Sequence, residues 1–407
     1  MKKILPCVIG LGYVGLPVFI SLKKKFNVVG YDVNYNRIKS LRILKDNNNE
    51  FKKNDLKIKN NSIFTNKSKD IEKCNFFIVA VPTPLKNKNQ PDLKYVLSAF
   101  KTISKVIKKD DIIFLESTVF PGTTDTICKK ILLKNKNKIT EKEFYLGYSS
   151  ERINPGDKKH NLKNISKVVS INTNQKIIRK VKKVYNNVSK KIVISKKIKE
   201  AELSKLIENT QRDLNISLMN EIMILCHKKN LDFNEVIKLA KTKWNFLKFN
   251  PGLVGGHCLP VDPFYLSSYA SKSKYKTKVT LAGREINNSM ENFITNLVIK
   301  EISKINKFPK KKILVSGLTY KANVSDLRNS LAIKIFLNIK KKLKNVTGYD
   351  PIAEKFKAKK LKIINKFEKV KSRDVIIFLV NHTCFKKDYI YFKKRKKTII
   401  DPFNFFN

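Results

Sequence analysis

The sequence predicts an α/β protein with two Rossmann-like, doubly wound parallel-sheet domains joined by a helical central domain. Three observations predict it. The chain opens on a strand, a glycine turn and a helix. Its middle carries long helical periodicity broken by one Gly/Pro-rich loop, and its C-terminal part returns to the strand, glycine, helix, strand order of the start. At 407 residues the chain exceeds the size at which a single core stops growing, so the expected division is 1–195, 196–300 and 301–407.

Each element follows from local pattern. Ile4 to Ile9 is an apolar run, Gly10 to Gly15 a glycine turn, Leu16 to Lys25 a helix, and Asn27 to Tyr31 a second strand ending at Asp32, together a βαβ unit. Asn75 to Val81, Asp111 to Leu115 and Val168 to Ile171 read as further buried strands. From Ile198 to about Met290 the pattern is helical, interrupted from Asn250 to Pro263. After Pro309 the strand pattern returns: Lys312 to Ser316, then Gly317, a helix near Ser330 to Lys342, Val346 to Tyr349 ending at Asp350, and Asp374 to Val380.

Composition limits the function classes. The formal net charge is +53, but only nine of the 86 basic residues are arginine, and the chain is rich in Asn, Ile and Phe, whose codons, like those of Lys, are AT-rich. The charge is read as genome composition. The lysines are scattered with no interleaved aromatic platform, so no nucleic-acid partner is expected, although phosphate-bearing substrates would be attracted. No run of about 18 apolar residues occurs, and Met1-Lys2-Lys3 leads into the glycine turn rather than a cleavable apolar stretch. A soluble cytoplasmic protein with no membrane partner is the expectation. The six cysteines form no CxxC pair and no small-domain spacing, which argues against a metal site and against a disulfide framework. Cys7, Cys74 and Cys128 read as small buried residues.

Gly10-Leu11-Gly12-Tyr13-Val14-Gly15 fits GxGxxG in its required context, strand before and helix after. Gly10 permits the tight turn, Gly12 lets the backbone approach a pyrophosphate, and Gly15 allows close helix packing, with the helix N-terminus facing the anion. Asp32 stands where a carboxylate accepts hydrogen bonds from adenosine ribose hydroxyls, which favours NAD over NADP.

Pro251 to Pro263 (PGLVGGHCLPVDP) is too rich in Gly and Pro for a helix interior. A thiol at Cys258 with a carboxylate at Asp262 has the parts for covalent catalysis and proton handling; His257 reads as a positioning residue. In the helix beginning near Ile198, Lys205, Asn209 and Arg212 lie at i, i+4 and i+7 on one face, opposite Leu203, Ile207, Leu214 and Leu218. A cation, an amide and a second cation can steady an oxyanion or a sugar phosphate; a solvated outer face is the alternative reading of that spacing.

These motifs resemble the UDP-glucose/GDP-mannose dehydrogenase family from Lys3 to about Asp401. The matching segments are IGLGYVGLP (Ile9 to Pro17), VPTP (Val81 to Pro84), ESTVFPGTT (Glu116 to Thr124), SSERINPG (Ser149 to Gly156), KLIENTQRDLN (Lys205 to Asn215), the cysteine loop, and GLTYKANVSDLRNS (Gly317 to Ser330). Lys243-Trp244-Asn245-Phe246, Ala282 to Asn287, and Val261 where UDP-glucose enzymes usually carry Lys, are most similar to the UDP-N-acetylhexosamine branch that feeds capsule, O-antigen and Vi-type polysaccharides. Ser150 stands where the family commonly has Pro, which is expected to loosen the Glu151 loop, and Ala322 where an acidic residue is frequent.

The resemblance implies that Gly10, Gly12, Tyr13, Val14, Gly15, Asp32, Arg37, Thr83, Thr118 and Arg328 contact NAD. It assigns Arg152, Ile153, Lys205, Asn209, Arg212, Gly255, Tyr320 and Lys321 to the UDP-sugar. Catalysis falls to Cys258, Lys205, Asn209, Asp262, Glu151 and Thr118. The implied reaction is a four-electron oxidation at C6, through a Cys258 thiohemiacetal and thioester, by a homodimer associating through its central helices. UDP-glucose or GDP-mannose 6-dehydrogenation is the enzymatic alternative, and a basic nucleotide- or nucleic-acid-binding protein the non-enzymatic one.

Overall fold

A computed structural model describes residues 3–48, 50–58, 60–134, 139–153, 162–305 and 310–406. The chain packs as two compact units: Met1–Glu208 with Phe264–Tyr275, and Asn209–Pro263 with Lys276–Asn407. The helical segment expected at 196–300 is thus divided between the two units. The 32-residue helix Ile198–Lys229 gives its first residues to one unit and the remainder to the other.

The first unit is built on an eight-stranded sheet in the order β3-β2-β1-β4-β5-β6-β7-β8. The strands are β1 (Pro6–Ile9), β2 (Val29–Tyr31), β3 (Ile63–Thr65), β4 (Phe76–Val79), β5 (Ile112–Leu115), β6 (Tyr145–Ser149), β7 (Ser166–Ile171) and β8 (Lys191–Ser195). Runs such as Phe76-Phe77-Ile78-Val79 are apolar at every position because both faces of a parallel sheet are covered. Phe76 and Ile78 join Val8 and Phe114 in the core of one face, and Phe77 and Val79 join Cys7, Ile9 and Leu115 on the other. All neighbouring strands are parallel except β6 and β7, a departure from the all-parallel expectation that matters for the site below. β3, β6 and β8 escaped the sequence reading because they are short, polar in part, or interrupted by Gly147.

In the second unit, β9 (Ile313–Ser316), β10 (Val346–Tyr349), β11 (Val375–Phe378) and β12 (Thr398–Ile400) form a parallel sheet in the order β10-β9-β11-β12. The helix Leu331–Lys342 starts where the Ser330 hydroxyl accepts the Ile333 N–H. It packs Ile335, Phe336 and Ile339 into a core shared with Ile294, Val298 and Ile302 of the helix Lys278–Ser303. No helix among the described residues is long and apolar enough to cross a membrane.

The two units repeat one turn. Gly10, at φ +90°, donates to Tyr31 O (2.8 Å), and Gly317, at φ +80°, donates to Tyr349 O (3.0 Å). A Cβ on either glycine would come within 2.6 Å of a backbone carbonyl, Ala80 O or Val380 O. The echo between the chain ends is therefore an echo of backbone geometry and not only of residue order.

Candidate active site

The glycine turn closes β1 onto the helix Gly15–Leu22. A Cβ on Gly15 would lie 1.8 Å from Gly10 O, so only glycine lets the helix start there, whereas a Cβ on Gly12 would meet nothing within 4 Å. Gly12 thus faces open space where backbone can approach a pyrophosphate, and Tyr13 and Val14 flank that space, half-buried. Asp32, at the end of β2, accepts from Leu11 N (2.8 Å) and Asn34 N (2.8 Å) and remains half-exposed. It has lone pairs left for hydroxyl donors. Arg37 reaches back to the turn, with its Nε on Leu11 O (2.8 Å), and pairs with buried Asp46 at 2.7 Å. An open glycine turn, a helix N-terminus and a half-exposed carboxylate are groups that could hold the adenosine half of NAD.

Thr83 and Thr118 follow the C-terminal ends of β4 and β5, where open α/β sheets bind ligands. Ser117 links the two loops, its hydroxyl donating to Val81 O (2.7 Å) and accepting from Val81 N (3.0 Å). Buried Glu202 fastens the next turn, accepting from Gly122 N (2.6 Å), Thr124 N (2.9 Å) and the Thr124 hydroxyl (2.7 Å). Burial nevertheless pushes the Glu202 pKa up to about 7.

Glu151 is buried, with Oε1 accepting from Arg152 N (2.6 Å) and Ile153 N (2.5 Å). Ser150 ties the chain just before Glu151 to the neighbouring strand. Its N–H donates to Val168 O (3.2 Å), a bond a proline has no hydrogen to make, so serine extends the ladder up to Glu151. The rest of that motif, Asn154 to Gly156, lies outside the described residues. The Arg152 guanidinium is held by Glu208 and by Ser166 O.

On the helix Ile198–Lys229 burial divides the polar stripe. Lys205 is only 7% exposed, while Ile207 and Leu218 across the helix are 51% and 50% exposed. The Lys205 ammonium has no hydrogen bond or ion pair among the described residues, its stem being the covered part of the side chain. Asn209 donates to Asp262 at 2.5 Å, and Arg212 is exposed.

The cysteine loop belongs to the second unit. Cys258 is exposed, unlike Cys7, Cys74, Cys128 and Cys226. Its carbonyl accepts from Val261 N (3.0 Å) and Asp262 N (2.9 Å), the start of the helix Asp262–Ser271, and the Asp262 carboxylate is buried. Gly256, at φ +87°, has room for no side chain: a Cβ would strike the Tyr320 ring at 2.6 Å, and one on Gly255 would strike Asn329 O at 2.6 Å. Asn329 Nδ2 donates to Gly256 O (3.0 Å). The loop is therefore seated against Tyr320 and Asn329. Lys321 is half-buried beside Tyr320, and Arg328 is paired with Asp326 at 2.6 Å.

The chain matches family models in three consecutive segments. Residues 3–189 match the NAD binding domain of the UDP-glucose/GDP-mannose dehydrogenase family, 199–289 its central domain, and 314–407 its UDP binding domain. The chain belongs to this family. It is 45% identical over 403 residues to Protein CapL of Staphylococcus aureus, covering 97% of this chain and 94% of that one. It is 40% identical over 402 residues to UDP-N-acetyl-D-glucosamine 6-dehydrogenase of Salmonella typhi, with coverage of 97% and 94%. The solved UDP-D-ManNAc dehydrogenase of Pyrococcus horikoshii superposes with a TM-score of 0.84 at 30% identity, covering 99% of this chain and 96% of that one. The chain is an NAD-dependent oxidoreductase acting on nucleotide sugars.

Lys167, Tyr185, His382 and Glu116 carry no signal of their partners in the local sequence. All four are buried, and their partners lie far along the chain, where no local spacing signals them.

Proposed function

We propose that this enzyme oxidises the C6 hydroxyl of a UDP-N-acetylhexosamine, of the glucosamine or galactosamine type, to the carboxylate, in a pathway to a surface polysaccharide. The observation that carries the covalent route is the exposed Cys258 thiol on a glycine loop seated against Tyr320 and Asn329. The substrate class rests on the Salmonella typhi relative, whose name specifies UDP-N-acetyl-D-glucosamine. NAD supplies the hydride acceptor for both oxidations. Gly10, Gly12, Tyr13, Val14, Gly15, Asp32, Arg37, Thr83, Thr118 and Arg328 are proposed to hold it, and Arg152, Ile153, Arg212, Gly255, Tyr320 and Lys321 to hold the nucleotide sugar.

Cys258 adds to the C6 aldehyde, and the Lys205 ammonium stabilises the resulting oxyanion together with Asn209. Thr118, Glu151 and Asp262 then position the water that releases the acid. The segments 1–195, 196–300 and 301–407 are proposed as the cofactor, association and UDP-sugar parts of the chain. A homodimer is supported by Ile207, Leu218 and Leu225, exposed apolar residues at helical spacing along one stripe of Ile198–Lys229. A chemistry that uses NAD and a reduced thiol fits the cytoplasm.

The test is a panel of UDP-GlcNAc, UDP-GalNAc, UDP-ManNAc, UDP-glucose and GDP-mannose with NAD, following NADH absorbance. UDP-N-acetylglucosamine or its galacto epimer should give the highest kcat/KM. A preference for UDP-glucose or GDP-mannose overturns the substrate assignment.

A further inference from the structure

The one antiparallel step in the first sheet brings three charged side chains together. In the β6–β7 register Tyr148 faces Ser170 and Ser149 faces Val169. The Ser150 N–H to Val168 O bond carries that register onward and sets Glu151 across from Lys167. On the other flank Leu115 of β5 lies beside Tyr148, so Glu116 reaches the same end of the sheet. Lys167 Nζ stands 3.2 Å from Glu116 Oε2 and 3.2 Å from Glu151 Oε2, and Lys167 itself is 3% exposed. Tyr185, from the helix Gln175–Tyr185, is fully buried and has its ring centroid 5.7 Å from the ammonium. The remaining charged neighbours, Arg152 and Glu208, are committed to one another.

Two carboxylates and one ammonium away from water make a costly arrangement that packing alone does not call for, since apolar groups of the same volume fill such a space as well. The two carboxylates differ. Glu151 has one oxygen fixed by two backbone N–H groups and the other on Lys167. Glu116 is ion-paired with Lys167, and burial pushes its carboxyl pKa up against the pull of that lysine and of Tyr185 beside it. Burial lowers the Lys167 pKa, but the two carboxylates outweigh it and the ammonium stays charged.

We propose that Lys167 is a positioning residue for release of the acid: it holds the Glu151 carboxyl group aimed, while Glu116, sharing the same ammonium, sets how firmly it does so. This rests on the reading of Glu151 as the group that serves the hydrolytic water. In that step the water oxygen bonds to the thioester carbon, and the carbon–sulfur bond breaks with its electron pair going to the Cys258 sulfur. One water proton passes to Glu151, and the carboxylic acid leaves.

The experiment is rapid-quench turnover of the full-length enzyme with UDP-N-acetylglucosamine and NAD, following NADH by absorbance and acyl-Cys258 by intact mass. In Lys167→Met both hydride transfers of the first turnover should keep their rates. Acyl-enzyme should accumulate, kcat should fall by at least about 10-fold with little change in KM, and the acidic limb of the kcat profile should move to higher pH. Lys167→Arg should restore most of the rate. Glu116→Gln, nearly isosteric, should move the acidic limb to lower pH, and it decides the matter if Lys167→Met does not fold. A folded Lys167→Met without acyl-enzyme accumulation, or a Glu116→Gln profile that does not move, overturns the proposal. Glu151→Gln separates the two layers: no acyl-enzyme there means that the reading of Glu151 fails, whereas accumulation there but not in Lys167→Met sinks the lysine's role alone.

Discussion

Asp32 and Asp350 end the second strand of two copies of one turn, and each accepts the N–H of the leucine after the turn glycine, Leu11 at 2.8 Å and Leu318 at 2.7 Å. From that shared bond they diverge. Asp32 is half-exposed and takes one more backbone donor, Asn34 N. Asp350 is fully buried and also accepts from Thr319 N, Ile352 N, Ala353 N and His382 Nε2. The Asn323 N–H donates to His382 Nδ1 (2.9 Å), which leaves Nε2 to carry the hydrogen towards Asp350. One carboxylate keeps capacity for a ligand; the other is spent on ordering the loop that leads to Tyr320 and Lys321.

The two aspartates should therefore fail differently. Asp32→Asn should weaken NAD binding and narrow its advantage over NADP while leaving the melting temperature nearly unchanged. Asp350→Asn should leave NAD affinity intact and destabilise the fold by about 1–3 kcal/mol, because an amide keeps only one oxygen for the buried donors that the carboxylate accepts from. Calorimetric titration with NAD and thermal melts of both variants check this; a cofactor defect in Asp350→Asn would contradict the division of roles.

The glycines of the turn separate folding from binding in the same way. Gly15→Ala places a methyl carbon 1.8 Å from Gly10 O, a backbone atom that cannot step aside, and should destabilise the protein markedly. Gly12→Ala meets nothing in the free protein, so its melting temperature should hold while the KM for NAD rises. Equal loss of stability in the two variants would mean that Gly12 does not face the cofactor.

The turn was legible in the sequence because its signal is local: glycine spacing, an apolar run before it and a carboxylate at the next strand end. The cysteine loop was legible for the same reason, its Gly and Pro content ruling out a helix around Cys258. Long-range pairings were not. Lys167 meets Glu116 and Glu151 only through the register of three strands, one of them antiparallel, and β6 itself escaped notice because Gly147 interrupts its apolar run. The helical stripe was ambiguous for a different reason: Lys205, Asn209 and Arg212 share a face by spacing, yet burial divides them, and burial is set by what packs on the helix.

Lys205 provides a test of function apart from stability. The Lys205 ammonium makes no hydrogen bond or ion pair among the described residues, so Lys205→Met should change the stability of the free protein by no more than about 1 kcal/mol while reducing turnover by orders of magnitude. Chemical denaturation alongside steady-state kinetics measures both. A destabilised Lys205→Met would show that the lysine serves the fold.

Glu202 gives a pH signature. Burial raises its pKa in the folded protein to about 7, above its ordinary value, so the stability it contributes is fully present below the usual carboxylate range and is lost as pH rises through about 7. Glu202→Gln removes that titration. The stability of wild type relative to the variant should therefore fall by up to about 3 kcal/mol between about pH 5 and about pH 8. A difference that stays flat with pH, read from paired thermal melts, would place the Glu202 titration elsewhere.

The central claim is that one enzyme carries an alcohol to an acid through a thioester on Cys258. The most direct measurement exhausts a limiting amount of UDP-N-acetylglucosamine with excess NAD, counts NADH against sugar, and reads the mass of quenched protein for wild type and Cys258→Ser. The account predicts two NADH per sugar for wild type. For Cys258→Ser it predicts a folded protein that binds both ligands, turns over orders of magnitude more slowly, and either stalls at the aldehyde or accumulates a slowly hydrolysed ester on residue 258. A single NADH with free aldehyde from wild type, or a Cys258→Ser variant that still yields two NADH per sugar at near wild-type rate, would contradict it.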